Sequence, residues 1–195
     1  MPYSNPVTGT SGEISVGGSE FGDVLNGTAA NDVISGGGAS DVLNGAGGDD
    51  ILLGGANQDS LRGDEGNDAL YGGGSDDKLY GGTGDDYLDG GGQNDRLYGG
   101  DGEDIIIGGN GDDVLYGDNA NDNFDQEGFA DTFVFDSDDG NDKVYDFETG
   151  IDTVQLTSGG AYTMIYKGSD TILTYGSTTV RFYDEHLVDS DIVII

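Results

Sequence analysis

From residue 25 to residue 133 a large apolar side chain returns at every ninth position: Leu25, Ile34, Leu43, Leu52, Leu61, Leu70, Leu79, Leu88, Leu97, Ile106, Leu115, Phe124 and Phe133. Each is the centre of a triplet such as Val114-Leu115-Tyr116, whose out–in–out alternation suits a short strand. The rest of each nine is polar and rich in glycine, which supplies positive-φ positions and lets backbones approach closely. Two nines then make one coil of strand–turn–strand–turn, with successive coils stacked ~4.8 Å apart and the apolar side chains of two sheets meeting inside. One coil cannot bury that face alone, so stacking is obligatory. The pattern predicts an all-β, right-handed parallel β-roll, a β-helix with two repeats per coil.

The polar positions carry the same period. Stepping by nine from Asp23 gives Asp32, Asp41, Asp50, Asp59, Asp68, Asp77, Asp86, Asp95, Asp104, Asp113, Asp122 and Asp131, without a failure. With 39 acidic residues among 195, thirteen such hits have a chance probability of about 10⁻⁹, so this is an internal repeat. Five residues before each Asp stands a glycine from Gly18 onward, including Gly36, Gly45, Gly54, Gly63, Gly72, Gly81, Gly90, Gly99 and Gly108, and the series fails only at Gln126. Stacking by coils would sort the aspartates into two columns. One holds Asp23, Asp41, Asp59, Asp77, Asp95, Asp113 and Asp131, the other Asp32, Asp50, Asp68, Asp86, Asp104 and Asp122.

Two carboxylates ~5 Å apart repel by roughly 3 kcal/mol at an effective dielectric near 20. Burying one leucine stabilises by about 2 kcal/mol, so the columns rival the core and call for a cation. Ca²⁺ fits, being hard and content with six to eight oxygens drawn from carboxylates and turn carbonyls. Six gaps in one column and five in the other allow at most eleven sites. The net charge of −33, from 39 acidic against 6 basic residues, excludes nucleic acid and anionic membranes as partners and agrees with a cation binder. The chain has no cysteine, which rules out disulfides and thiolate metal sites, and no apolar run long enough for a membrane helix.

The best copies, GGTGDDYLD (81–89) and GGNGDDVLY (108–116), resemble the GGxGxDxUx nonapeptide of the RTX family across residues 18–134. The resemblance implies that each ion is held by two Asp side chains and turn carbonyls from adjacent coils. Residues 132–156, TFVFDSDDGNDKVYDFETGIDTVQL, are similar to the C-terminal region of serralysin-type proteases, and the repeats to the R-modules of mannuronan epimerases. The final Asp191-Ile192-Val193-Ile194-Ile195 resembles the uncleaved signal read by type I secretion machinery, and no basic, apolar N-terminal signal precedes the repeats. The resemblance thus implies a secreted, extracellular protein that folds on meeting calcium.

Three divisions follow: an N-terminal segment and capping half-coil (1–17), the roll (18–134) and a β-rich C-terminal cap (135–195). Gly9, Ile14 and Val16 keep the frame without its Asp, and strands are expected near 132–135, 143–147, 153–156, 161–166, 170–175 and 178–183. Asp142, Asp152 and Asp170 retain the Asp-x-apolar signature at irregular spacing. Two residues before the key Asp, one edge keeps Gly48, Gly66, Gly84 and Gly102, while the other has Ala39, Asn57, Ser75 and Gln93. Either the second edge is strained and holds its ions less regularly, or the runs 72–74 and 90–92 shift the flexible point by one residue.

Arg62, Lys78 and Arg96 are expected to point outward on one sheet, beside Tyr80, Tyr98 and Tyr116 stacked at 18-residue intervals. Such a face would suit an acidic polysaccharide such as alginate, a reading the epimerase resemblance adds to, or it would simply brace neighbouring strands. No nucleophile elbow, HExxH or P-loop occurs, and the lone His186 has no catalytic partner in the pattern. The chain is expected to be a binding module and not an enzyme.

Overall fold

The computed structural model describes residues 7–8, 14–118, 129–158, 160–183 and 185–195. Two long sheets face each other. The first runs through Val7–Thr8, Val24–Asn26, Val42–Gly47, Ser60–Glu65, Lys78–Thr83, Arg96–Asp101, Val114–Tyr116, Asn141–Tyr145 and Thr178–Phe182, then turns antiparallel through Asp170–Tyr175 to Tyr162–Lys167. The second runs through Ser15–Gly17, Val33–Gly37, Ile51–Ala56, Ala69–Gly74, Tyr87–Gly92, Ile105–Asn110, Thr132–Phe135, Thr153–Leu156 and Ile192–Ile194, all parallel. Consecutive strands alternate between the sheets as far as Thr153–Leu156, so each coil of the array is two repeats, as the period requires. The register is 18 residues from Val7 to Tyr116, for example Leu61 opposite Leu79 and Leu70 opposite Leu88.

The core is the predicted row. Every ninth-position side chain from Ile34 to Leu115 is fully buried. Strands are longer than the expected triplets, reaching six residues as in Ser60–Glu65, because in–out alternation continues past the leucine. The next inward position is a glycine such as Gly63, where the following turn's aspartate leaves no room for a side chain. Val16 fills the core opposite Ile34, and Ile14 takes an Asp position without a carboxylate. Gly9 lies outside the described residues.

Positive φ falls at Ala39, Asn57, Ser75 and Gln93, and equally at Gly48, Gly66, Gly84 and Gly102. The runs of three glycines therefore do not move the turn, and one edge holds four side chains in a left-handed conformation that costs each about 1 kcal/mol. The other edge has its own exceptions at Ala46 and Asp64.

One prediction is corrected. The copy containing Asp122 and Phe124, whose residues 119–128 lie outside those described, does not supply the strand that stacks on Ile105–Asn110. That place belongs to Thr132–Phe135, with Phe133 opposite Ile106. Parallel stacking then continues beyond residue 134. Asn141–Tyr145 sits on Val114–Tyr116 and Thr153–Leu156 on Thr132–Phe135. Phe133, Phe135, Phe147 and Phe182 close the core there with tilted and edge-on ring contacts. The six strands expected near 132–183 all form, within two residues of the predicted bounds. No helix among the described residues is long and apolar enough to cross a membrane.

Candidate metal sites

The turns line up the aspartates as two columns along the roll. Each key carboxylate turns back toward the preceding coil, where its Oδ1 accepts the main-chain N–H of the Asp before it. Asp41 takes the amide of Asp23, Asp50 that of Asp32, and so on to Asp113 with Asp95, at 2.7 Å each time. These carboxylates are at most 3 % exposed. Amide bonds hold one oxygen of each group and orient the other.

Asp131 belongs to a different column from the one predicted. Asp104 donates its amide to Asp131 at 2.9 Å, so Asp131 succeeds Asp104 and not Asp113, and takes the place assigned to Asp122. Its turn glycine is Gly117, fourteen residues earlier, which explains why Gln126 could replace the glycine of that copy. The columns then run on through residues that the period did not mark. Asp113 donates to Asp142 at 3.0 Å and Asp131 to Asp152 at 2.9 Å. Asp23, Asp41, Asp59, Asp77, Asp95, Asp113 and Asp142 form one column, and Asp32, Asp50, Asp68, Asp86, Asp104, Asp131 and Asp152 the other. Seven members in each leave six gaps per column, twelve in all against the eleven expected. Asp170, the third irregular fragment, joins neither and pairs with Arg181.

The second carboxylate oxygen identifies the chemistry. Oδ2 of Asp41, Asp50, Asp59, Asp68, Asp77, Asp86, Asp95, Asp104, Asp113 and Asp142 is buried and accepts no hydrogen bond. A buried acceptor without a donor costs roughly 1–3 kcal/mol, more when charged, and ten in register are not a defect of packing. A Cβ built on Gly72 would meet Asp77 Oδ2 at 2.6 Å and the Gly90 carbonyl oxygen at 2.7 Å. On Gly54 it would meet Asp59 Oδ2 at 2.7 Å and the Gly72 carbonyl at 2.6 Å. The same pairing of Asp Oδ2 with a glycine carbonyl one coil ahead recurs from Gly18 to Gly99. It brings together the carbonyls of all nine candidate glycines, Gly36, Gly45, Gly54, Gly63, Gly72, Gly81, Gly90, Gly99 and Gly108. At the first coil the situation differs: Oδ2 of Asp23 accepts the Ser19 amide and Oδ2 of Asp32 the Thr28 amide.

Two oxygen acceptors facing each other with no proton between them suit a hard cation. Among the described residues no three carboxylates, histidines or cysteines converge on one point, so main-chain carbonyls must complete any coordination shell. Ca²⁺ accepts that mixture, whereas Mg²⁺ requires a tighter octahedron and retains its water. Without a cation the columns hold protons instead. Burial, partly offset by the amide bond and reinforced by neighbouring carboxylates, raises Asp50, Asp68 and Asp77 to about 6, Asp59 and Asp86 to about 7, Asp95 to about 8 and Asp104 to about 9.

Outside the columns lies a second ladder that the sequence reading missed. The residue before each key Asp is Asp or Asn along much of both edges, and its side chain accepts the amide of its counterpart one coil ahead. Asn31 takes that of Asp49, Asp49 that of Asn67 and Asn67 that of Asp85, at 3.0–3.1 Å. The alternation of Asp with Asn at that position was the available signal.

The outward face of the first sheet carries Arg62, Lys78 and Arg96 as expected, but Arg62 stands in the tyrosine row and the other two in the neighbouring row. The rings of Tyr80, Tyr98, Tyr116, Tyr145 and Tyr183 stack nearly parallel at centroid distances of 4.5–5.1 Å. Arg62 covers one end at 4.9 Å and Arg181 the other at 4.5 Å. The tyrosines stack their ring faces on one another across neighbouring strands. His186 sits in the cap with Nε2 3.0 Å from the Gly168 carbonyl, beside the Tyr166 ring.

The RTX calcium-binding nonapeptide repeat, in four-copy units, matches residues 17–52, 53–88, 71–106, 89–124 and 98–133. Among solved structures the chain is similar to the extracellular lipase LipA from Serratia marcescens, at 19 % identity and a TM-score of 0.37, over 89 % of this chain. The chain spans 40 % of the length of that lipase. No curated protein matches it. The repeat matches together cover residues 17–133, more than half of the 195, and the chain belongs to the RTX calcium-binding nonapeptide-repeat family.

Proposed function

We propose that this β-roll is a folding module switched by calcium: expanded at low cytosolic Ca²⁺, exported by type I secretion machinery, and folded outside the cell as ions enter both columns. The observation that carries the reading is the register of ten buried Asp Oδ2 atoms that accept no hydrogen bond, eight of them beside a glycine carbonyl one coil ahead. Each Asp of the array, with its turn glycine, is assigned as a ligand in this reading. Charge points the same way. Ten ions would carry −33 to −13, relieving most of the self-repulsion of the compact state. The terminal Ile192–Ile194 strand pairs with Thr153–Leu156 once folded, which supports export of the unfolded chain, in which that segment is accessible.

Far-ultraviolet circular dichroism at neutral to basic pH tests it. In chelator the chain should show a disordered spectrum and gain β signal in a steep transition at ~10⁻⁴–10⁻³ M Ca²⁺, the range of extracellular modules. A full β spectrum in chelator would overturn the proposal. Contact with an acidic polysaccharide has weaker support. Lys78, Arg96, Lys143 and Arg181 form one outward row, yet the adjacent ring faces are already occupied.

A further inference from the structure

We infer that Asp142, which lies outside the nonapeptide pattern and outside the residues matched by the family, is a cation ligand that locks the C-terminal cap to the roll. The inference rests on the calcium reading above. Asp142 repeats the carboxylate geometry of the array although it follows Asp113 by 29 residues and no glycine carbonyl of the next coil stands beside Gly108. Its Oδ1 accepts the Asp113 amide at 3.0 Å, its Oδ2 accepts no hydrogen bond, and it is 3 % exposed. Asp113 Oδ2, across the same gap, is buried and equally without a donor. Asp139, buried in the turn before Asp142, is near enough for its charge to bear on both carboxylates.

The other irregular aspartates show that this is not a general property of the cap. Asp152 ends its column with both oxygens committed, Oδ1 to the Asp131 amide and Oδ2 to the Glu148 amide at 2.7 Å. Asp170 is paired with Arg181. Asp142 alone of the three keeps an oxygen that only a cation or a proton can satisfy, and a buried charge left so is costly. Its strand, Asn141–Tyr145, lies between Val114–Tyr116 of the array and Thr178–Phe182 of the cap. An ion in the Asp113–Asp142 gap therefore joins the last regular coil to the strand on which the cap sheet is built.

Asp142→Asn tests this in the full chain, since the Asn oxygen still receives the Asp113 amide while the free carboxylate oxygen becomes a nitrogen. Bound calcium is counted by equilibrium dialysis with elemental analysis, and amide exchange is followed against Ca²⁺ concentration. The variant should bind one ion fewer than the parent. Its amides in 141–145 and 178–182 should need several-fold more Ca²⁺ for protection, while those in 60–65 keep their midpoint. Glu65→Gln, which removes one charge at an exposed site, should leave the count unchanged. An unchanged count and cap midpoint in Asp142→Asn would overturn the inference while the parent still binds calcium. A parent that binds none would instead defeat the calcium reading itself. Should Asp142→Asn leave the cap unfolded at every Ca²⁺ concentration, the parent decides. Cap and array protected at one shared midpoint supports the ligand role, and a cap already protected in chelator contradicts it.

Discussion

Stripped of calcium, the roll should gain β structure when the pH is lowered from about 8 to about 5.5, the reverse of ordinary acid unfolding. The column aspartates of the folded chain without ions hold protons up to about 6 for Asp50, Asp68 and Asp77 and about 9 for Asp104, against 3.8 when unfolded, chiefly because burial disfavours the anion. A folded value above the unfolded one contributes stability that is complete below 3.8 and is lost as pH rises through about 6 to about 9. Protons at mildly acid pH thus do part of what ions do at neutral pH. With calcium present the sign inverts, because Ca²⁺ needs the deprotonated ligand. The calcium midpoint should rise by at least about tenfold from pH 8 to 5.5, since each ion must displace a proton. Circular dichroism over that range, with and without Ca²⁺, checks both limbs. Loss of β signal on acidification in calcium-free buffer would contradict the assignment of buried, mutually repelling carboxylates.

A single methyl group should be as damaging as loss of a ligand. Gly72→Ala places Cβ 2.6 Å from Asp77 Oδ2 and 2.7 Å from the Gly90 carbonyl, closer than real Cβ contacts come. Either the carboxylate leaves its orientation or the next coil lifts, and both dismantle the gap. Overpacking of this kind costs typically 1–3 kcal/mol, and with the weakened ion site about 3 kcal/mol is expected. Gly92→Ala is the matched control. Its Cβ would meet nothing within 4 Å, and the change should stay within ~0.5 kcal/mol. Urea unfolding at saturating Ca²⁺ measures both. Equal effects at the two positions would mean that close approach in the turn is not what holds the stack.

The array was legible because one side chain per nine is buried and one carboxylate per nine is oriented, so stacking repeats the same demand at the same interval. What escaped the period did so for physical reasons. Asp122-Asn123-Phe124 and Asp131-Thr132-Phe133 satisfy the Asp-x-apolar rule equally well, and counting by nine cannot choose between them. The deciding feature is the glycine that receives the carboxylate. Gly117 is used for Asp131, fourteen residues on, and Gln126 in place of a glycine was the visible sign that the spacing changes there. In the cap, coils vary in length, yet hydrogen-bond register returns Asp142, Asp152, Tyr145 and Tyr183 to the rows begun in the array. Geometry there is conserved by strand pairing and not by spacing. The tyrosines at 18-residue intervals were evident beforehand, but their mutual stacking changes what the face offers to a partner.

Anomalous diffraction from crystals grown in calcium is the most direct test of the column itself. Peaks should lie along both edges, between the Oδ2 of successive aspartates such as Asp59 and Asp77 or Asp68 and Asp86, within ~2.3–2.6 Å of carboxylate and carbonyl oxygens. An intact stack with no calcium peak along either row of carboxylates would contradict it.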